Sequence, residues 1–558
     1  MHILTKSQKA RTSVRAIKTT IDALALRGYY KPSGKSGQTL SRALRLLSPE
    51  IYGSMNDPRI IELKGLEYVV ERLPLKIENC SRIVLTARED LENTSFETVI
   101  PPKRRRLSYR ISDTEMCFVI TRGLSEIYDV LTHVTFLNIE SRKIFMQMKD
   151  PAGNYTREWT ALSAIINTGK KLNGETLDKA LWNLSVILGR TLQETRETYA
   201  VLEKYSKKNY CNVLFQIIHG MGSRVEDENK SMADELMISF TPALQDMIGN
   251  QSYCKAWALS VKERLLELGF EKRPIHIISA NLHSVLNLVY GYDAISGTGK
   301  KKQVGNIYDY IVRVRDDAEA VNNFAVKNGF YAFTDCSGSN LDCQIIDTSK
   351  LSKFKFHPEL KMNLAKDTAS PVLLVMDYAF GTQAFEALDE LFEPLEKESK
   401  IVTFSVESIS VMGKAGTLVG EKGDIMLATS HVFEGTSDNY IVDNDIKEAD
   451  FDDNVKVFCG PIVTVVGTSL QNQDLLKRFQ ASNWKAVGLE MEGGHYQKAI
   501  GSAIIRGHLP ADVKTRYAYY ASDNPLLSGE TLASGSMGDD GIKPTYMITK
   551  IILEKICS

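Results

Sequence analysis

This chain of 558 residues has no excess of charge: Lys+Arg number 68 and Asp+Glu 69, a net of −1 at pH 7. A balanced chain offers no electrostatic footprint for nucleic acid or for an anionic membrane surface. Long apolar runs are missing too, since no stretch reaches the roughly eighteen apolar residues of a transmembrane helix. The opening residues, Met1-His2-Ile3-Leu4-Thr5-Lys6, turn polar at once and lack the apolar stretch of a signal peptide. Cysteine is sparse and unpatterned. Eight thiols (Cys80, Cys117, Cys211, Cys254, Cys336, Cys343, Cys459 and Cys557) contain no C-x-x-C. The closest pair, Cys336 and Cys343, has the wrong spacing for a common zinc clip, so reduced and often buried thiols are expected. No repeat period is found. These absences predict a cytoplasmic protein with no cofactor, no metal, no nucleic-acid partner and no membrane partner.

What remains is ordinary globular composition, 43% hydrophobic and 25% charged, in a chain too long for one core. Residues 1–268 read as a mostly helical domain of unknown role. Apolar residues at three-to-four spacing predict helices over 57–73, 113–148, 176–204 and 227–268, the last split near Pro242. Ser112 or Asp113 and Asp227 are candidate caps, and Asn173-Gly174 and Gly220-Met221-Gly222-Ser223 read as breaks. The basic run Lys103-Arg104-Arg105-Arg106 offers a phosphate anchor or a solvated loop, and a neutral chain without interleaved aromatics favours the loop.

The pattern changes near residue 273. Short β-branched segments alternate with helical ones over 269–558, predicting an α/β domain with a mixed central sheet flanked by helices. Strands are expected at 274–279, 307–314, 329–334, 371–376, 400–406, 424–429, 455–458, 461–466 and 515–521. Helices are expected at 282–289, 383–395, 472–481, 493–501 and 544–556. The run Pro371-Val372-Leu373-Leu374-Val375-Met376 is apolar throughout, as a central parallel strand should be.

Two acidic motifs close the chain: Gly488-Leu489-Glu490-Met491-Glu492-Gly493-Gly494, and Tyr520-Ala521-Ser522-Asp523-Asn524-Pro525. Three earlier segments precede them in order. They are Ile277-Ile278-Ser279-Ala280-Asn281-Leu282-His283, the stretch Leu374-Val375-Met376-Asp377-Tyr378-Ala379-Phe380-Gly381-Thr382, and Gly413-Lys414-Ala415-Gly416-Thr417 with Gly423-Asp424 behind it. In this order, residues from about 273 to 558 resemble the purine-nucleoside phosphorylase and nucleosidase superfamily. The AMP nucleosidases, with their separate N-terminal domain and a proline and Gly-Glu after Ser-Asp, are nearest; Pro525 and Gly529-Glu530 stand there in this chain. Methylthioadenosine/S-adenosylhomocysteine nucleosidases are similar as well. The resemblance implies a nucleoside phosphorylase-like domain, a purine nucleoside or nucleotide as substrate, and a homo-oligomer.

It also implies roles. Cleaving an N-glycosidic bond passes through an oxocarbenium-like sugar, and the purine leaves more easily when protonated or hydrogen-bonded at N7. Asp523 is the candidate acid; alone, Ser-Asp-Asn-Pro reads as a turn, and Glu492 upstream favours catalysis. Glu492 would accept the 2′- and 3′-hydroxyls, in bonds that strengthen as positive charge builds on the ribose. Its alternative is a helix N-terminal carboxylate, with Met491 as core. In an extended segment Glu490 and Glu492 share one face, and only the position between Met and Gly selects Glu492. Met491 would pack under the sugar. Gly381-Thr382 and the turn expected from Gly413 through Gly416 to Thr417 would present backbone N–H groups, with Asn281 and Ser522 lining the site. Two departures bear on the reaction. No arginine occurs between Arg315 and Arg478, which favours hydrolysis over phosphorolysis. The first turn carries Asn281, His283 and Ser284 where methylthioadenosine-type nucleosidases place a water-activating glutamate. His283 and Asp377 are therefore the candidate bases; an exposed helix histidine and a turn cap are their plainer readings. The expected function is hydrolytic cleavage of a purine nucleoside or nucleotide, with the N-terminal half regulating, oligomerising or covering the pocket. The alternatives are a phosphorolytic enzyme and an inactive nucleotide-binding scaffold.

Overall fold

The computed structural model describes residues 4–89, 91–104, 106–207, 210–296, 305–364, 370–452, 454–527 and 537–557. Two compact units form, one from residues 1–250 with 469–475, the other from 251–468 with 476–558. Among the described residues no helix is long and apolar enough to cross a membrane. Cys80, Cys117, Cys254, Cys343 and Cys557 are buried thiols, and Cys336 and Cys459 are exposed ones.

The first unit is mostly helical and contains a six-stranded sheet that the helical periodicity conceals. Its centre is Arg82–Thr86, parallel to Glu115–Val119 on one side and to Met237–Phe240 on the other. Residues 115–119 were expected to open a helix. Cys117, Phe118 and Val119 suit a buried pleat better, and the helix starts only at Gly123 (Gly123–Gln147). Of 57–73, only Leu63–Val70 is helical. Gly189 divides 176–204 into Gly174–Leu188 and Leu192–Leu202. Pro242 opens the helix Pro242–Asn250 after a strand, where its missing N–H is harmless.

Gly220 and Gly222 are not breaks. Both sit inside the helix Val213–Lys230, and a Cβ on Gly220 would lie 2.2 Å from Asn79 Oδ1. They are close-packing glycines. The basic run is likewise no solvated loop. Arg106 is buried and donates to Glu126 (2.9 Å) and Asp129 (2.9 Å), and Arg104 reaches the same Asp129 at 3.4 Å. Arg105 lies outside the described residues.

The second unit is built on a ten-stranded mixed sheet with helices packed on it. At its centre, Ile275–Ser279 runs parallel to Val372–Met376 and to Val406–Thr417. From Val406–Thr417 the pairing closes on itself. That strand pairs with Lys514–Asp523, then Ile425–Phe433, Val457–Thr464 and Gly488–Glu490, and the last returns to Val406–Thr417. Closure leaves these five strands without a free edge. The mixed α/β sheet agrees with the expectation from sequence.

Several elements differ from expectation: the strands expected at 455–458 and 461–466 are one, Val457–Thr464, and Cys343–Asp347 is a strand that was not expected. Residues 307–314 form a helix, Ile307–Asp316, because Ile307, Ile311 and Val314 recur at helical spacing and Asn306 caps the N–H groups of Tyr308 and Asp309. The segment 413–417 is not a turn but the end of the long strand Val406–Thr417, its Gly413 register-paired with Tyr519.

Candidate active site

The site is organised by one strand end. At the close of Val406–Thr417, Gly416 pairs with Leu489 on one side and with Asp523 on the other. Two interstrand spacings put the Met-Glu-Gly turn and the Ser-Asp terminus about 10 Å apart.

Strand Gly488–Glu490 stops there, and Glu492 stands at the N-cap position of the helix Gly493–Ile505, with φ −119° and ψ −32° and no side-chain capping bond. This bend overturns the shared face expected for the two glutamates. Glu492 is half-buried and its Oε1 accepts the Gly381 N–H at 3.0 Å. Burial, and then the charge of Glu490, push the Glu492 carboxyl up to about 8. Glu490 turns inward and is 4% exposed. It accepts the Thr464 hydroxyl at 2.6 Å and the backbone N–H groups of Glu492 and Gly493, and His431 Nδ1 lies 3.4 Å away. Burial works against its charge, yet His431, Thr464 and the Gly493 N–H hold Glu490 below the ordinary carboxylate range. Met491 is buried beside them. Gly493 is required by crowding: a Cβ there would sit 2.2 Å from the Tyr519 hydroxyl and 2.3 Å from His431 Cε1.

Asp523 ends Lys514–Asp523 and is 2% exposed. The Ser522 hydroxyl lies 2.5 Å from Asp523 Oδ1 and 3.2 Å from the Ala415 carbonyl. The turn that follows is held by Asn524, whose Oδ1 accepts the Leu526 N–H at 3.0 Å. Asn524 thus does the turn work that the sequence allowed for Asp523.

Asn281 caps the helix Leu282–Ser296, its Oδ1 accepting the Ser284 N–H at 2.9 Å. His283 is exposed as a residue, with its ring 6.4 Å from that of Tyr546. Partial burial of the imidazole and then the Arg315 guanidinium lower its pKa, with Asp377 acting in the opposite sense. Asp377 is half-buried and accepts the Tyr378 N–H at 2.8 Å, so it also caps its own turn. Gly381 needs its glycine, with φ +56°, and Thr382 precedes the helix Gln383–Phe392. Gly413 faces Tyr378, whose Cε1 would be 3.3 Å from an added Cβ. Thr417 serves a local turn, its hydroxyl accepting the N–H groups of Val419 and Gly420. Gly413, Gly416 and Thr417 therefore present no anion-binding turn, because strand pairing consumes their backbone groups. Lys414 is solvent-exposed.

The candidates thus gather around Gly416 (Glu492, Met491, Ser522, Asp523), with Gly381 and Thr382 joined through the Glu492 bond, and around the first turn (Asn281, His283, Asp377). Four further residues belong to this neighbourhood. Tyr378 is 42% exposed as a residue, yet burial of its hydroxyl raises its pKa, with hydrogen bonding to Asn281 acting in the opposite sense. Arg315 acts on His283 through space. Glu490 and His431 stand behind Glu492. Only Glu490 had a signal in the sequence, its place in Glu-Met-Glu. A cavity of about 490 Å³ lined by Asn306, Tyr308, Asp309, Glu359, Asp452 and Lys543, among others, shares no residue with this set. Among the described residues no cluster of three His, Cys, Asp or Glu side chains could hold a metal. Gly529-Glu530 lies outside the described residues.

Residues 38–299 and 307–558 match the model of a family described as being of unknown function, DUF6909. The chain belongs to DUF6909. No curated protein matches it. Several solved structures are similar over half its length. The Campylobacter jejuni 5′-methylthioadenosine/S-adenosyl homocysteine nucleosidase is 13% identical, with TM-score 0.31, over 51% of this chain and 98% of that one. The Helicobacter pylori futalosine hydrolase is 12% identical, with TM-score 0.29, over 50% and 96%. The Schistosoma mansoni uridine phosphorylase in complex with thymidine is 12% identical, with TM-score 0.29, over 51% and 86%.

Proposed function

We propose that the second unit is a purine nucleosidase, which cleaves the N-glycosidic bond of a purine nucleoside or nucleotide with water and releases base and sugar. The observation that carries this reading is the pairing of one strand end, Gly416, with Leu489 before the Met-Glu-Gly turn and with Asp523. In this reading the two carboxyl groups meet one ligand from opposite sides of that strand. Asp523, buried and hydrogen-bonded to Ser522, is the acid that protonates the purine at N7 as the bond to C1′ breaks and its electron pair passes to the base. Glu492 grips the 2′- and 3′-hydroxyls; the Gly381 N–H supports its ionised form. Water adds to C1′ and gives its proton to Asp377 or His283.

Phosphorolysis is the second reading, and one observation favours it. Arg315, at the end of Ile307–Asp316, lies close enough to His283 to act on its charge, so the first turn does not lack a guanidinium.

The test is a purine-release screen over AMP, adenosine, inosine, guanosine and methylthioadenosine, with and without inorganic phosphate. Free ribose, or its 5′-substituted form, is the expected product. Ribose 1-phosphate formed only with phosphate would establish the second reading. Tight purine binding without turnover would instead mark an inactive nucleotide-binding protein. Light scattering checks the implied homo-oligomer.

A further inference from the structure

The closed ring of strands holds a polar core that the proposed reaction does not use. His431 is fully buried on Ile425–Phe433, and neither ring nitrogen makes a hydrogen bond within the described residues. Its nearest charged neighbour is Glu490, at 3.4 Å. The rings of Tyr517 and Tyr519 meet it in T-shaped contacts at 4.9 and 6.2 Å, and their hydroxyls also have no hydrogen-bond partner among the described residues. Placing an acid in such a dry setting is costly unless it is paired or hydrogen-bonded. Glu490 is held on every side. One oxygen takes the Thr464 hydroxyl and faces His431; the other takes the backbone N–H groups of Glu492 and Gly493.

Those two N–H groups belong to the turn that carries Glu492. We propose that Glu490, clamped by His431 and Thr464, is a positioning residue for Glu492: it fixes the turn that delivers the Glu492 carboxyl to Gly381 and acts on that carboxyl through space. The inference rests on the reading of Glu492 as the sugar-gripping residue only for its functional meaning; the coupling itself does not need a ligand.

The groups facing the pair can be named element by element. Tyr517 and Tyr519 face it from Lys514–Asp523, His431 from Ile425–Phe433, Thr464 from Val457–Thr464, Tyr496 from the helix Gly493–Ile505, and the Gly381 N–H from the loop before Gln383–Phe392. Glu490 and Glu492 are carboxylates of this shell, with Asp377 acting on Tyr496 beside them, and like charges close together make each harder to ionise. His431 lies 3.4 Å from Glu490 and favours its ionised form, so removing either partner should move Glu492.

The experiment follows the Glu492 carboxyl directly, by ¹³C NMR titration of glutamate-labelled full-length protein, with Glu492→Gln assigning the resonance. In Glu490→Gln the midpoint should fall by about one pH unit or more, since an adjacent charge is removed. In His431→Gln it should also move, since a group that favours ionised Glu490 is removed. Circular dichroism confirms folding, and if Glu490→Gln does not fold, His431→Gln and Thr464→Val carry the test. A merely structural pair would lower thermal stability and leave the midpoint unmoved, and that result overturns the inference. The midpoint shifts without any binding of adenosine or AMP by the parent would overturn the nucleosidase reading and leave this coupling standing. With binding, the pH profile of kcat/KM should shift in step with the midpoints.

Discussion

At the residue scale, the two acids differ in what surrounds them, and so in how each should respond to change. Asp523 is deep and held by the Ser522 hydroxyl. Asp523→Asn keeps the shape and removes the transferable proton. It is expected to lower kcat by about 100-fold or more while ligand binding, read by calorimetry, stays within about threefold. Cleavage at the parental rate would show that another group is the acid. Glu492 must be ionised to accept sugar hydroxyls, and its pKa is raised to about 8. Its ionised fraction therefore grows as pH rises, and kcat/KM should climb from pH 6 to 9 with an inflection near 8. A flat profile over that range removes Glu492 from the role. The choice of Glu492 over Glu490 was legible only through its neighbours Met491 and Gly493. Alternation could not make it, because the chain bends between the two residues. His431, Tyr378 and Arg315 had no signal at all. A buried histidine in a strand looks like any residue of an alternating pattern, and an arginine near the end of an amphipathic helix looks solvated.

At the element scale, the helix Gly493–Ile505 contains its own control. Gly493 meets the Tyr519 hydroxyl and His431 within 2.3 Å of where a Cβ would stand, and both neighbours are buried. Gly501, in the same helix, has nothing within 4 Å. Gly493→Ala is expected to destabilise by about 2 kcal/mol, whereas Gly501→Ala should stabilise by up to about 1 kcal/mol. Urea melts of the two variants would decide it, and equal shifts would mean that the turn relaxes. Strands with apolar faces were readable: the apolar run 372–376 and the segment 515–521 lie in observed strands. Residues 307–314 misled because their β-branched residues stand at a spacing that also suits a helix. Residues 115–119 misled because a short strand joined to a long helix shares its apolar content.

At the scale of the whole molecule, several carboxyls are buried at a cost. Burial raises Glu140 and Glu386 to about 7, as it raises Glu492 to about 8, from an ordinary 4.5. A group whose folded pKa is raised contributes fully below its ordinary value of 4.5, and that contribution is lost as pH rises through the folded value. Thermal stability should therefore fall between about pH 5 and 8. Glu386 faces Cys254 at 3.9 Å, a contact that offsets little of the burial. Glu386→Gln should raise Tm above the parent at about pH 8 and match it at about pH 5, measured by calorimetry. A variant less stable at both pH values would point to a bonded, ionised Glu386.

By itself, the sequence determined that an α/β unit with a mixed sheet follows a mostly helical one, and that Asp523 falls where a strand ends. Hydrophobic period and turn residues are local, and local pattern suffices for that. Tertiary structure decided the rest. Strand closure brought Leu489 and Asp523 to the same residue, Gly416, turned Glu490 inward against His431, and made a strand of residues expected to be a turn presenting backbone N–H groups. Which residues meet across a sheet depends on pairing between distant segments, and no spacing along the chain records it.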